Sequence, residues 1–142
     1  MMTKIDDLES FFNNALSRYQ SGEDILEVID DFKQITNEIP NHFAAWTCLS
    51  WLYLILKKND DGLFAAKQAV RLNSQDPQAR MNLALALLAT KNKGVRDHIT
   101  IIKRLMLMLP DVEAELRISV EDGFTRYPEW PEMKKVKSWL EF

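Results

Sequence analysis

Glycine and proline alternate along this chain: Gly22, Pro40, Gly62, Pro77, Gly94, Pro110, Gly123. Proline opens or follows helices and glycine ends them, so the alternation predicts short turns between helices of ordinary length. Successive prolines of the series are 37 and 33 residues apart. A spacing near 34 is that of a stack of helical hairpins.

The apolar pattern agrees. After Gly22, the residues Ile25, Val28, Ile29, Phe32, Ile35 and Ile39 recur every three or four positions, which is one face of an α-helix. Asp76-Pro77 sets a capping carboxylate before a proline suited to a first helical turn, and Leu83, Leu87 and Leu88 continue a stripe behind it. No stretch alternates with period two for long, so a β-sheet is not supported. Helices are predicted over 5–20, 23–38, 43–58, 61–73, 77–91, 95–108, 111–126 and 131–141. They make four antiparallel pairs, each too small to bury a core alone, and stacking supplies a continuous one.

Composition bounds the class. With 142 residues, 46% of them apolar and 27% charged, the chain reads as one all-α domain over 1–142. The longest nearly unbroken apolar run, Trp46 to Leu56, ends at Lys57-Lys58 and is short of the roughly 20 residues of a membrane span. The N-terminus lacks a secretory apolar stretch, and the lone Cys48 fits a reducing compartment, so a cytoplasmic location is expected. Charge is uneven. Residues 1–42 hold nine acids and three bases, residues 43–110 four acids and ten bases, and residues 111–142 eight acids and five bases. A basic centre between acidic ends is either a docking field or ordinary solvated helix faces.

Residues 43–76 resemble a tetratricopeptide repeat. Trp46, Leu49, Ser50 and Tyr53 fall on the family's W-x2-L-G-x2-Y positions, and Gly62, Ala66 and Ala69 on those of the second helix. Ser74 stands where proline is usual. Small residues at Ser50, Gly62 and Ala69 would let antiparallel helices approach, with Trp46 and Tyr53 filling the space around them. Asn82-Leu83-Ala84 with Leu87 repeats the first-helix pattern one period on, with Arg80 at an aromatic position; Phe12, Ala15, Leu16 and Tyr19 repeat it one period earlier. The resemblance implies a right-handed superhelical stack of about three repeats, 9–42, 43–76 and 77–112, with a C-terminal cap over 113–142.

In this family the first helix of each pair lines a concave groove that holds a partner's peptide or helix, which implies a non-enzymatic adaptor or assembly factor. One subclass grips an acidic C-terminal peptide of heat-shock chaperones through groove cations. The matching positions here are Asn13, Ser17, Cys48, Gln78 and Asn82, none of them cationic, which argues against that subclass. The expected groove wall is instead apolar: Thr47, Trp51, Leu54 and Ile55, then Met81, Leu85 and Leu88. Such a wall suits an apolar or amphipathic partner segment, although each side chain taken singly reads equally as core. The C-terminal segment carries Trp130, Met133, Val136, Trp139, Leu140 and Phe142, which either cap the stack or dock in a groove, its own or a neighbour's. Two alternative functions follow: a small acidic chaperone dedicated to one apolar secretion or membrane-complex client, and a subunit that self-assembles through this tail.

No motif for catalysis, a metal or a cofactor stands out. The four glycines are isolated, and His42 and His98 have no companions at metal-ligand spacing. Cys48 lacks an evident base. Asp6-Asp7, Asp30-Asp31 and Asp60-Asp61 are sequence neighbours that do not face one another on a helix. Lys91, Lys93, Arg96, Lys103 and Arg104 cluster around one hairpin, yet a pI near 5.4 disfavours nucleic-acid binding.

Overall fold

The computed structural model describes the backbone of residues 4–142 and the side chains of residues 7–142. Eight helices and no strand occur among the described residues: α1 Lys4–Gln20, α2 Ile25–Glu38, α3 Phe43–Ile55, α4 Asn59–Leu72, α5 Pro77–Ala89, α6 Val95–Met108, α7 Val112–Arg126 and α8 Pro131–Trp139. Each helix from α1 to α6 packs chiefly on its neighbours in the chain, and α3 also meets α5 across the intervening hairpin. That is a stack of antiparallel helical pairs. α7 and α8 depart from the series, because α8 turns back against α5.

Local chemistry explains the boundaries. The Asp24 carboxylate accepts from the Leu26 amide at 3.0 Å and opens α2; the Asp76 carboxylate accepts from the Ala79 amide at 2.9 Å and opens α5. His42 opens α3, its Nδ1 accepting from the Ala45 amide at 3.0 Å. The exits alternate in kind. α1, α3 and α5 each end on a residue in the left-handed region: Gly22 (φ 81°), Lys57 (φ 61°) and Lys91 (φ 59°). At α3 the Lys58 amide donates to the Tyr53 carbonyl at 2.8 Å and the Lys57 amide to the Leu54 carbonyl at 3.0 Å, the paired bonds of a Schellman cap. The same pair recurs at α1 and α5. Two of the three left-handed positions are lysine, which is why α3 and α5 stop short of the ends expected at 58 and 91. By contrast α2, α6 and α7 exit through extended residues, Ile39, Leu109 and Tyr127, each held extended by the proline that follows.

Only Gly22 and Gly94 (φ 104°) turn the chain. Gly62 and Gly123 lie inside α4 and α7, where the glycine-as-terminator reading does not hold. A Cβ on Gly62 would stand 2.9 Å from Cδ2 of Leu54. One on Gly123 would stand 3.0 Å from the Trp130 ring, 3.1 Å from the Trp51 ring and 3.2 Å from the Met133 methyl. Both glycines serve close packing.

The core runs the length of the stack, through Phe32, Ile35, Leu49, Leu52, Met81, Leu85, Ile102 and Leu116 to Trp130 and Met133. Each such side chain contributes roughly 1.5–3 kcal/mol on burial. The residues that carry the repeat resemblance have the expected places. Leu49, Ser50, Ala66 and Ala69 are buried, and half-buried Trp46 donates its Nε1–H to the Pro40 carbonyl at 2.8 Å while meeting Phe64 edge to face.

Candidate binding groove

A cavity of about 420 Å³ opens between the inner faces of α1, α3 and α5 and the crossing helix α7. Its apolar surface comes from Leu16 of α1, Phe32 of α2, Trp51 and Leu52 of α3 and Ile118 of α7. Ile118 is 67% exposed on the lip.

Two polar seams hold α7 in place. In the first, Tyr19 Oη donates to the Asp122 carboxylate and accepts from Trp51 Nε1 at 2.9 Å. Arg126 completes it, donating from Nη2 to the Tyr19 carbonyl at 2.9 Å and from Nε to Asp122 at 3.3 Å, with its guanidinium carbon 3.9 Å from the Tyr19 ring centre. Burial, with the Asp122 hydrogen bond behind it, pushes the Tyr19 phenol well above its ordinary value, so the hydroxyl keeps its proton and remains a donor. In the second seam, Ser119 Oγ donates to Gln78 Oε1 at 2.6 Å and Gln78 Nε2 to Asn82 Oδ1 at 2.8 Å. The fully buried Asn82 then donates to Ser50 Oγ at 2.8 Å and to the Thr47 carbonyl at 3.1 Å. One relay thereby links α7, α5 and α3, and no buried side-chain nitrogen or oxygen among the described residues lacks a partner.

Of the expected groove wall, Thr47 and Trp51 line the cavity. Leu54, Ile55, Met81 and Leu85 are buried, and Leu88 is half-buried. The cause is specific: Gly62 brings α4 onto Leu54, and α8 covers α5. In the C-terminal segment, Trp130, Met133, Val136 and Leu140 are buried against the chain's own stack, with the Trp130 ring 5.3 Å from Trp51 and stacked on Tyr127. Phe142 is half-buried beneath the Arg117 guanidinium, whereas Trp139 remains 42% exposed. Asp122, Arg126 and Ile118 had no signal in the sequence, and Tyr19 had one only as a repeat position, since helical periodicity cannot show which distant helix crosses which.

The reactive candidates have structural tasks. Burial pushes the Cys48 thiol up to about 12, which leaves it protonated at neutral pH. His42 caps α3, and His98 Nδ1 lies 2.9 Å from Arg80 Nη1, with burial and that cation lowering its pKa. No group of three or more His, Cys, Asp or Glu among the described residues is arranged to hold a metal ion. No described helix is long and apolar enough to cross a membrane.

The fold is that of an all-helical, tetratricopeptide-like repeat stack. Among solved structures, MamA MSR-1 C2 matches 99% of this chain and 81% of its own, with a TM-score of 0.63 at 17% sequence identity. That likeness is one of fold. No family model matches the sequence, and no curated protein matches it.

Proposed function

We propose that this chain is a tetratricopeptide-type interaction module, a non-enzymatic cytoplasmic adaptor or assembly factor that holds an apolar or amphipathic segment of another protein. The observation that carries the reading is the open cavity floored by Trp51 and flanked by Leu16 and the exposed Ile118. A helix of ordinary side chains presents an apolar stripe of the width such a trough accepts. Thr47 and Trp51 are its proposed inner wall; Leu54, Ile55, Met81, Leu85 and Leu88 form the layer behind them. The chemistry of Cys48, His42 and His98 supports a role without catalysis: the Cys48 thiol stays protonated, His42 caps α3, and His98 is tied to Arg80.

The test is site-specific photo-crosslinking in the native cell, with the crosslinker at Thr47 or Ile118 and, as control, at exposed Asp60 on α4. One discrete adduct is expected from the two groove positions and none from Asp60. Ile118→Asp, at a position that needs no repacking, should abolish the Thr47 adduct while helix content stays unchanged. Equal adducts at all three positions would remove the groove assignment.

A further inference from the structure

A second groove, of about 520 Å³, lies between α6 and the last turn of α8 and shares no lining residue with the first. Val95 and Ile99 floor it, Arg96 and Lys103 stand on its rim, and the 42%-exposed Trp139 forms its far wall. Arg96 and Lys103 are seven residues apart, which puts both on one face of α6 with Ile99 and Thr100 between them. The surroundings are one-sided in charge: over residues 91–108 stand Lys91, Lys93, Arg96, Lys103 and Arg104 against the single acid Asp97.

These cations are largely unspent. Arg96 and Arg104 have no ion-pair or hydrogen-bond partner among the described residues. Lys103 has only Glu141 of the tail, at 3.6 Å, and that glutamate is itself 81% exposed. The other arginines all have polar partners: Arg18, Arg117 and Arg126 pair with acids, Arg71 with Gln68, and Arg80 with the Ser74 carbonyl and His98. An exposed indole beside an unsatisfied guanidinium is the pairing of residue types that carries most binding energy at protein interfaces.

We propose that the α6–α8 groove docks an acidic segment of another protein. Its carboxylates pair with Arg96 and Lys103, and an apolar side chain between them seats on Trp139, Val95 and Ile99. Glu141, 3.6 Å from Lys103, is a carboxylate of the chain's own tail beside this rim. A guanidinium takes a carboxylate in a two-pronged pair, so Arg96 sets direction as well as strength. A nucleic acid fits less well. The chain is −3 overall with acidic thirds on either side, and a long polyanion would meet those as well. This docking does not depend on the concave groove.

Fluorescence anisotropy on the full chain tests it. The probe is a fluorescein-labelled helical peptide with a leucine stripe flanked by glutamates; the controls are its lysine-substituted counterpart and a thymidine oligonucleotide. The acidic peptide should bind, and the lysine peptide should not. Arg96→Glu and Lys103→Glu should each weaken binding about tenfold, and added salt should weaken it further. Both are rim positions whose exchange leaves the core intact. Trp139→Ser should also weaken binding, while Ile118→Asp, in the other groove, should leave it unchanged. Equal binding of the two peptides, or indifference to Arg96→Glu, would overturn the proposal. So would tighter binding of the oligonucleotide through Arg96, or self-association of the chain that Arg96→Glu abolishes.

Discussion

Tyr19 and Asp122 lie 103 residues apart in the chain and are joined by a hydrogen bond across the mouth of the groove. The tyrosine hydroxyl also accepts from Trp51, so one oxygen ties α1, α3 and α7 together. Tyr19→Phe deletes it while keeping the ring under Arg126, and leaves the Trp51 indole N–H without its partner and the Asp122 carboxylate with Arg126 alone. We expect a loss of about 1–3 kcal/mol in urea unfolding. An unchanged midpoint would mean that the Tyr19 hydroxyl adds nothing to the hold on α7.

Gly62 and Gly123 should respond differently to alanine. At Gly62 the obstacle is the flexible end of Leu54, and the gain in helix propensity, about 1 kcal/mol, offsets much of the clash. At Gly123 two indole rings and a methionine methyl crowd one point, and the rigid rings of Trp51 and Trp130 yield less readily than the end of a leucine. Gly123→Ala should cost about 1–3 kcal/mol and alter tryptophan fluorescence. Equal stability of the two variants would contradict the packing described.

Lys91 occupies the left-handed region (φ 59°) with an exposed side chain that meets no acid among the described residues. Lys91→Gly relieves that conformation and should stabilise the chain by about 0.5–1 kcal/mol, the typical cost of a Cβ there less the added freedom of the unfolded state. Lys57→Gly is the less clean experiment, because the Lys57 ammonium sits 4.9 Å from the Tyr127 ring centre.

Asn82 is fully buried and makes hydrogen bonds to Gln78, Ser50 and the Thr47 carbonyl. Asn82→Leu strands those groups and should cost about 2–4 kcal/mol, well above Gln75→Leu on the exposed α4–α5 turn. Parallel thermal melts would show it.

His98 gives a pH dependence with a definite sign. Burial first, and Arg80 second, lower its folded pKa below the ordinary 6.5, so the unfolded chain binds the proton more readily. Stability from this group is therefore present above about pH 6.5 and is lost as pH falls from there through the lowered folded value. His98→Gln should flatten the stability profile on that acid side relative to the natural chain. Identical profiles would show that the imidazole does not report this burial.

Much of the stack was legible because its signals are local. Asp76 caps as its residue type dictates, while Asp24, placed inside the expected helix 23–38, caps it instead, and proline holds the residue before it extended at Ile39, Leu109 and Tyr127. What escaped was of two kinds. The left-handed exits at Lys57 and Lys91 carry no glycine, so a backbone motif recurred without its residue signature. Depth was not legible either: periodicity marks Met81 and Leu85 as apolar-facing but cannot say that they lie buried in α5 or that α8, some fifty residues on, packs on that helix. The pairing of Tyr19 with Asp122 and Arg126 was unreadable for the same reason, being a property of the whole chain's path.

An open stack of hairpins behaves like a spring, its curvature yielding to whatever it wraps. Here Arg126 grips the backbone at the end of the first helix and acts as a tie rod across the coil. The first and seventh helices are thereby held to one another by the chain's own bonds, whatever the rest of the coil does.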